Sequence, residues 1–382
     1  MKGYIRKRGS TWEYTVDLEP DVLTGTRKRK TKSGFRTKTE CQKAMNALIY
    51  EIENGEYFEI EKSSLNDYLK NWLSTYAKLN LAPKTYSSYK EIIDKYITPK
   101  LGMISLEKLK PLHIQNFYTC CLTEYKLSGT TTLYCHRILH VALNQAIKWQ
   151  LIKTNPCNMV NKPRKDRPEM NVLDTNEVDL LLNRIKDLSL YMPVLLAVTT
   201  GMRRGELCGL KWENVDLDNG ILYVKSQLQL IDNSKQLMPL KTAASKRKII
   251  LLDHTIPILK VYKEKQEENK KIYGDNYNKE NFVLSHIDGT PYDPDYITRN
   301  FARWMNTLSK ELNIPKVRFH DLRHTHATLL LKAGANIKAV SERLGHTSVA
   351  MTLNTYSHLL PDMQMDAVTK LNELFISTRS IF

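Results

Sequence analysis

Residues 200–207, with the sequence TGMRRGEL, combine a glycine break, two adjacent arginines and the start of a short predicted helix. The first backbone N–H groups of a helix have no partner within it and carry partial positive charge. Arg203 lies at this point, so an anion could be bound both by its guanidinium and by the backbone. The alternative is that Arg203 is an ordinary surface arginine.

A second segment, HDLRHTH at residues 320–326, predicts a helix with His320 and Arg323 on one face. An imidazole and a guanidinium that point the same way suit a phosphate group. Three histidines within seven residues could instead bind a metal ion. That alternative is weakened because the chain has no HExxH run and no cysteine or second histidine pair with ligand spacing. We therefore expect no metal site.

The composition indicates several domains and a polyanionic partner. With 382 residues, 42% of them hydrophobic, the chain can fill two or three cores. Its 57 Lys and Arg against 41 Asp and Glu give a formal charge of +16, which favours nucleic acid as partner. No apolar run has transmembrane length and no signal peptide follows Met1, so the sequence predicts a soluble, cytoplasmic protein without membrane contact. The six cysteines lack pairing or metal spacing and are expected to be reduced.

Residues 1–60 are expected to form a small basic domain. Between residues 2 and 38, eleven Lys or Arg stand against four acids, in short runs at 4–8, 12–16 and 26–30 that predict three strands. A helix from Lys38 to Asn54 follows, capped by Thr37 or Thr39. A basic sheet face with aromatic residues could read a DNA groove, although a merely solvated surface is the other interpretation. The candidate contacts here are Arg6, Arg8, Trp12, Tyr14, Arg27, Lys28 and Lys30.

Two further domains are expected, joined by a linker. Residues 63–160 are predicted to be all-helical, with a buried stripe formed by Leu65, Tyr68, Leu69, Trp72 and Leu73. Residues 161–170 hold two prolines and several cations and form the predicted linker. Residues 171–382 predict a mainly α, α+β domain that opens with a capping box and has a small antiparallel sheet from strands at 221–224 and 247–252.

Four sequence motifs, taken in chain order, together resemble the signature of one known protein family. TGMRRGE at 200–206, HDLRHT at 320–325, LGH at 344–346 and Tyr356 resemble the signature of the tyrosine recombinase, or phage integrase, family. Residues 82–86 and 97–102 resemble the family's helical core-binding domain, which adds Lys84, Thr85 and Tyr86 as candidate DNA contacts. The basic first segment resembles the arm-binding domain of integrases from conjugative transposons and temperate phages of Gram-positive bacteria. The resemblance covers nearly the whole chain.

The resemblance implies a role for each site residue. Tyr356 would attack the scissile phosphate, leaving a 3′-phosphotyrosine and a free 5′-hydroxyl. Because that linkage retains the bond energy, neither ATP nor another cofactor is expected, in keeping with the lack of a GxxxxGK[ST] loop. The remaining roles are phosphate binding by Arg203, Arg323 and His346, proton acceptance by His320, general acid catalysis by Lys241 in the turn between the two strands, and a structural role for Glu206.

The implied function is site-specific integration and excision of a mobile element. The implied partner is double-stranded DNA with core-type and arm-type sites, on which the protein would form a homotetramer when two sites are synapsed. An excision factor and a host DNA-bending protein are further candidate partners. A protein of this family would associate with the bacterial nucleoid when it is bound to DNA. A catalytically silent DNA-binding regulator and a type IB topoisomerase are the alternatives. The intact set of Arg203, His320, Arg323 and Tyr356 speaks against the regulator. The arm-like first domain speaks against an enzyme that only relaxes supercoils.

The segment after Tyr356 repeats apolar residues at helical spacing, at Met365, Val368, Leu371, Leu374 and Phe375. It either covers its own domain or docks on a neighbouring protomer, as the resemblance implies. If it docks on a neighbour, deleting residues 362–382 should weaken assembly on paired sites more than binding to a single site. Gel-shift titrations on one-site and two-site DNA measure both, and equal losses would contradict docking in trans.

Overall fold

A computed structural model describes residues 3–18, 27–54, 63–166, 170–231, 234–240, 242 and 245–356, together with 368, 371–373 and 375. The chain divides into two compact units, Met1–Arg167 and Pro168–Phe382. Within the described ranges, no helix combines the length and the apolar character that a membrane crossing requires.

The chain begins with a three-stranded antiparallel sheet and one helix, as expected from the sequence. The elements are β1 (Gly3–Arg8), β2 (Thr11–Asp17), β3 (Arg29–Phe35) and α1 (Lys38–Glu53), with β2 in the centre of the sheet. Thr37 caps the helix, since its hydroxyl accepts a hydrogen bond from the backbone N–H of Glu40. The third strand begins at Arg29 rather than at residue 26, because β3 pairs with β2 from Arg29 opposite Asp17 onward.

Residues 63–166 form a helical module. Its elements are α2 (Leu65–Trp72), a π-helical turn (Leu73–Ala77), α3 (Lys78–Asn80), α4 (Pro83–Ile92), a second π-helical turn (Ile93–Ile97), α5 (Thr98–Leu101), a 3₁₀ turn (Leu106–Lys108), α6 (Pro111–Thr123), α7 (Gly129–Lys148) and a last 3₁₀ turn (Pro156–Met159). The predicted stripe from Leu65 to Leu73 is buried in the core of this module, which confirms the periodicity argument.

The predicted linker is only partly described, since residues 167–169 lie outside the described residues. Residues 161–166 form neither helix nor strand. Asp166 nevertheless contacts the start of α7, because its carboxylate accepts a hydrogen bond from the backbone N–H of Thr130 at 3.0 Å. Its own backbone N–H donates to the Thr130 hydroxyl at 3.2 Å. This part of the segment is therefore anchored to the helical module.

The second unit is mainly helical with small antiparallel sheets. Its elements are α8 (Thr175–Arg184), α9 (Tyr191–Thr200), α10 (Arg204–Cys208), a 3₁₀ turn (Trp212–Asn214), β4 (Val215–Asp216), β5 (Ile221–Val224), β6 (Ser226–Ile231), β7 (Ser234–Pro239), β8 (Arg247–Ile250), α11 (Thr255–Tyr273), a further 3₁₀ turn (Gly274–Asn276), α12 (Pro294–Glu311), α13 (Asp321–Lys332), α14 (Ile337–Leu344) and α15 (Val349–Tyr356). The capping box of Asp174 and Glu177 is present at the start of α8, as predicted.

One element of this unit was not anticipated. The predicted strands β5 and β8 do pair with each other, but the chain between them forms the additional hairpin β6–β7 rather than a single turn. The β6 sequence SQLQLI alternates polar and apolar residues, and its Leu228 and Ile231 are buried. The polar–apolar alternation of residues 227–230 was therefore a signal in the sequence for a strand, although Leu228 and Ile231 are buried on opposite faces.

Helix α9 lies at the centre of the unit's core, since all of its residues from Met192 to Thr200 are buried. It ends at Gly201, which has a left-handed backbone with φ of +65°. A Cβ at this position would come within 2.5 Å of the His326 ring. Gly201 therefore serves both as a C-cap and as a point of close approach between α9 and α13.

Gly201→Ala should destabilise the protein more than Gly334→Ala, which is a matched control. Gly334 also has a positive φ, of +78°, but a Cβ there meets nothing within 4 Å. The control should cost about 1–2 kcal/mol of unfolding free energy from backbone strain alone. Gly201→Ala adds the collision with His326 and should cost clearly more. Denaturant unfolding of both variants measures the difference. Equal losses of unfolding free energy would show that the His326 ring can move away from the new Cβ without destabilising the protein.

Candidate active site

Arg203 directly precedes α10, at the end of the turn that begins with Gly201. Its Nη1 donates to Glu206 Oε1 at 2.9 Å, and its Nη2 donates to the carbonyl of Gly345 at 3.2 Å. A guanidinium has five N–H donors, and this side chain is 37% exposed. Since α10 has only five residues, the side chain, rather than a helix end, is the group that can bind an anion.

Glu206 is buried between Arg203 and a further arginine, Arg247. Arg247 Nη2 donates to Glu206 Oε2 at 2.8 Å, and its Nε donates to the carbonyl of Arg343 at 2.7 Å. Burial acts to raise the pKa of Glu206, but the hydrogen bonds and charges of Arg247 and Arg203 outweigh it and hold that pKa below its ordinary value. The carboxylate therefore stays ionised and fixes both arginines.

Arg323 lies on the first turn of α13 and is buried. Its Nη1 donates to the carbonyl of Gly201 at 2.6 Å, and its Nη2 donates to the carbonyl of Leu344 at 2.8 Å. Burial, followed by the positive charge of Arg203, lowers the pKa of Arg323 to about 9, so the group remains charged at neutral pH. Arg203 and Arg323 thus bind successive carbonyls of one loop, which brings the two cations together.

His346 follows the left-handed Gly345 in the same loop. Its Nδ1 lies 2.8 Å from the hydroxyl of Thr352, which is a buried residue of α15. Burial lowers the pKa of His346 to about 4, and the charges of Arg323 and Arg203 act in the same direction. With Nδ1 in use, Nε2 is the ring nitrogen that can donate to a ligand.

Tyr356 is the last residue of α15 and is only 1% exposed. Its hydroxyl lies 2.7 Å from Nδ1 of His324. Burial raises the pKa of Tyr356 to about 12, against the opposing effect of the nearby Arg323. His320 precedes α13, and its ring centroid is 5.2 Å from that of His324, at an interplanar angle of 88°. Burial and the charge of Arg323 lower the pKa of His320.

The third histidine of the 320–326 segment has a packing role. His326 Nδ1 lies 2.7 Å from the carbonyl of Val198, and its Nε2 accepts a hydrogen bond from Arg343 Nε at 3.0 Å. Its two ring nitrogens are therefore both used between α9 and α14. The described part of the chain contains no group of three or more His, Cys, Asp or Glu side chains that could hold a metal ion.

Lys241 lies outside the described residues, as do Ala243 and Ala244. It follows β7 in the chain, so the unexpected hairpin separates it from β5. Of the neighbouring residues, Thr242 and Ser245 bring their hydroxyls within 2.8 Å of each other.

The candidate DNA contacts of the first module fall on different faces of the sheet. Arg6 and Arg8 are exposed on β1 and pair with the buried Glu13 of β2. Tyr14, in contrast, is only 5% exposed and packs with Val16 against α1. Trp12 is half-buried against the same core. Tyr14 is therefore a core residue, and its assignment as a DNA contact is not retained, because alternation along β2 turns its side chain towards the helix.

The remaining candidate contacts lie on the surface of their modules. Arg27 and Lys30 are exposed and Lys28 is half-buried, all at or just before the start of β3. In the helical module, Lys84 is exposed in the first turn of α4, and Thr85 is half-buried. Tyr86 packs in part against the module's core.

The sequence reasoning missed Arg247. The residue is 5% exposed and links β8, through its contacts with Glu206 and the carbonyl of Arg343, to the site. No local signal marked it, because RKII holds two adjacent cations and only the distant partners of Arg247 show which of the two is buried.

Comparison with known proteins matches three successive family models to this chain. The phage integrase family model matches residues 171–363, which is half of the chain. The model of the phage integrase N-terminal SAM-like domain matches residues 64–120, and that of the arm DNA-binding domain matches residues 4–52.

Two curated relatives match over almost their whole length. A tyrosine recombinase XerC-like protein of Caldanaerobacter subterraneus is 28% identical over 98% of both chains. The ICEBs1 integrase of Bacillus subtilis is 26% identical over 96% of this chain and 99% of its own.

Two solved structures share the fold. The Tn1549 transposon integrase, in complex with a circular intermediate DNA, superposes with a TM-score of 0.65 at 21% identity, over 81% of this chain and 99% of its own. A lambda integrase tetramer bound to a Holliday junction gives a TM-score of 0.54 at 21% identity, over 91% of this chain and 95% of its own. The ordered family matches, which join an arm domain, a SAM-like domain and an integrase domain in one chain, establish that the chain belongs to the phage integrase family and is a tyrosine recombinase.

Proposed function

We propose that the chain integrates and excises a mobile genetic element by cleaving and rejoining DNA through a 3′-phosphotyrosine at Tyr356. One observation carries the proposal: Arg203, Arg323 and His346 come from three distant segments and meet at the loop after α14. The hydroxyl of Tyr356, at the end of α15, is close enough to Arg323 for the two groups to interact electrostatically. A phosphate bound by these three side chains would have a nucleophile beside it.

The chemistry follows from the charges. The two non-bridging oxygens of a phosphodiester share one negative charge, which grows as the phosphorus becomes pentavalent. Arg203 and Arg323 both keep N–H donors beyond those used in the fold. Donors fixed before the reaction stabilise that growing charge without reorganisation, and loss of one donor of this kind typically raises the barrier by about 2.7–4 kcal/mol. His346 Nε2 supplies a further donor.

Two proton transfers complete the proposed step. The family resemblance makes His320 the candidate acceptor for the tyrosine proton, since an imidazole exchanges protons near neutral pH, although the hydroxyl of Tyr356 contacts His324. Lys241 is our candidate acid for the leaving 5′-oxygen. The bond exchange conserves one phosphodiester, so the proposal needs no ATP.

The proposed partner is double-stranded DNA, with an arm-type site for residues 1–60 and a core-type site for residues 63–160 and 171–382, and residues 161–170 between them. Relatives of this chain are described on transposon DNA and on a Holliday junction. Arg6 and Arg8 project from the open face of the first sheet. Assembly into a tetramer on synapsed DNA, with an excision factor and a host DNA-bending protein, completes the proposal.

Incubation with a nicked suicide substrate that carries the attachment site tests this function. The wild type should form a protein–DNA adduct that survives denaturing electrophoresis, without added metal or ATP, and Tyr356→Phe should form none. Tight binding without any adduct would favour a silent DNA-binding regulator. An adduct that persists in Tyr356→Phe would move the nucleophile elsewhere, and relaxation of supercoils on DNA without an attachment site would favour a topoisomerase.

A double-mutant cycle tests whether Arg247 and Glu206 act as one unit. Arg247→Met removes one partner of a buried carboxylate and should cost about 3 kcal/mol of unfolding free energy. Adding Glu206→Gln removes the buried charge, so the double variant should lose less than the sum of the single losses. Denaturant unfolding of the three variants and the wild type measures the coupling. Additive losses would mean that the two side chains stabilise the fold independently.

A further inference from the structure

The contact between Tyr356 and His324 is the feature of the site that its expected roles do not explain. The hydroxyl of Tyr356 lies 2.7 Å from Nδ1 of His324, a distance typical of a strong hydrogen bond to a neutral acceptor. The two residues belong to different helices, since His324 lies on α13 and Tyr356 ends α15. The pairing is therefore made by the packing of the two helices, not by sequence neighbours.

The surroundings of His324 keep its ring neutral. The groups that face it are His320 on the preceding turn, Tyr356 on α15, His346 in the loop before α15, and Arg323, Asp321 and Arg318. Burial, followed by His320, lowers the pKa of His324 to about 4. Asp321 favours the charged form, but it is engaged by Arg318, whose Nη2 donates to it at 2.9 Å. At neutral pH the ring is therefore unprotonated at one nitrogen and can accept a proton.

His320 does not occupy the same position. The charges that act on His320 are those of Arg323, Asp321, Arg203 and Arg318, which places it on the side of the site where the arginines lie. Its ring meets that of His324 edge to face. The three groups thus form a series, with Tyr356 at one end, His324 in the middle and His320 towards the cations.

We propose that His324, through Nδ1, is the catalytic base that takes the proton of Tyr356; this rests on the proposed function, in which Tyr356 attacks DNA. In the step, the Tyr356 O–H bond breaks and its proton passes to Nδ1 of His324. The bond from Oη to phosphorus forms as the bond from phosphorus to O5′ breaks, and O5′ leaves with a proton from the general acid. On rejoining, the 5′-hydroxyl attacks and the imidazolium returns the proton to the tyrosine.

The arrival of DNA makes this transfer favourable. Burial is the main cause of the low pKa of His320 and His324, and the charge of Arg323 acts in the same direction. A phosphate next to Arg323 offsets that positive charge, so it raises the basicity of His324. When DNA is bound, the phenolate oxygen of Tyr356 bonds to phosphorus as the proton leaves, so no free negative charge remains in the buried site. His320 packs edge to face against the ring of His324 and lies on the side of the arginines, which makes it a positioning residue for His324 and a phosphate ligand.

Adduct formation on the nicked attachment-site DNA, measured in single turnovers between about pH 6 and about pH 9, tests the assignment. The wild type should show a nearly flat profile, because a neutral base is present throughout. His324→Asn keeps a hydrogen-bonding group near the Nδ1 position but cannot hold the proton. It should be slower by about 10²–10⁴-fold at pH 7, and its rate should rise about tenfold per pH unit as tyrosinate becomes available.

A leaving group that needs no proton separates this defect from an acid defect. On DNA with a 5′-bridging sulfur at the scissile phosphate, His324→Asn should stay slow, whereas a variant without the general acid should recover. His326→Asn is the matched control: it also removes a buried histidine of α13, and it should lower the melting temperature while keeping the flat profile. His324→Gln serves as a second variant, and melting and core-site binding verify that each protein is folded.

Several results would overturn the assignment. A flat pH profile in folded His324→Asn, whether the reaction is fast or slow, would mean that His324 has only a structural role. Faster adduct formation in that variant would mean that the contact with His324 holds Tyr356 inactive in the free protein. A tenfold rise per pH unit in His320→Asn but not in His324→Asn would give the base role to His320. A wild-type rate that itself rises tenfold per pH unit would mean that no base acts. Absence of any wild-type adduct would instead refute the proposed function.

Discussion

Three consecutive carbonyl groups at the end of α14 each accept a hydrogen bond from an arginine of a different segment. Arg247 binds the carbonyl of residue 343, Arg323 that of 344 and Arg203 that of 345. The last carbonyls of a helix have no partner within it and carry partial negative charge, so this end can hold cations. The helix end thereby fixes all three arginines, two of which are the proposed phosphate ligands, and it also fixes the loop that carries His346.

The charges at this helix end do not balance. Glu206 is the carboxylate that pairs with Arg203 and Arg247, and Arg323 pairs with carbonyl groups alone. With Arg343 in the last turn of α14, four guanidinium groups and one carboxylate of the described residues leave an excess of three positive charges in a partly buried site. Holding them there costs desolvation free energy, which shows in the lowered pKa of Arg323. A phosphate that gains negative charge in its transition state removes this imbalance, so the protein is better matched to the reacting phosphate than to solvent.

The sequence predicted much of this arrangement, because the residues proposed to do the chemistry are marked by type and order. Arg203 and His346 lie in short motifs one or two residues after a glycine with a left-handed backbone, Arg323 lies in the HDLRHT motif, and the core stripe of the helical module follows its helical periodicity. Arg247 was missed because its partners are distant in the chain, and a contact of this kind has no local signature. Tyr14 was misassigned for a related reason: an aromatic residue on a strand between two basic strands fits a core as well as it fits a DNA surface, and only the position of α1 decides between them.

Helical geometry separates the histidines of one short motif by direction. His320 and His324 are four residues apart and lie on one face of α13, whereas His326 is two residues further and points to nearly the opposite side. The first face meets Tyr356 and the arginines, and the other meets α9 and Arg343. The packing face fixes α13 against α9, so the reactive face is held at a set distance from α15. Burial lowers the pKa of His324 and of His326 alike, but His324 faces the hydroxyl of Tyr356, whereas His326 lies between a backbone carbonyl and the guanidinium of Arg343. The same physical effect therefore gives a structural group on one side of the helix and a proton acceptor on the other.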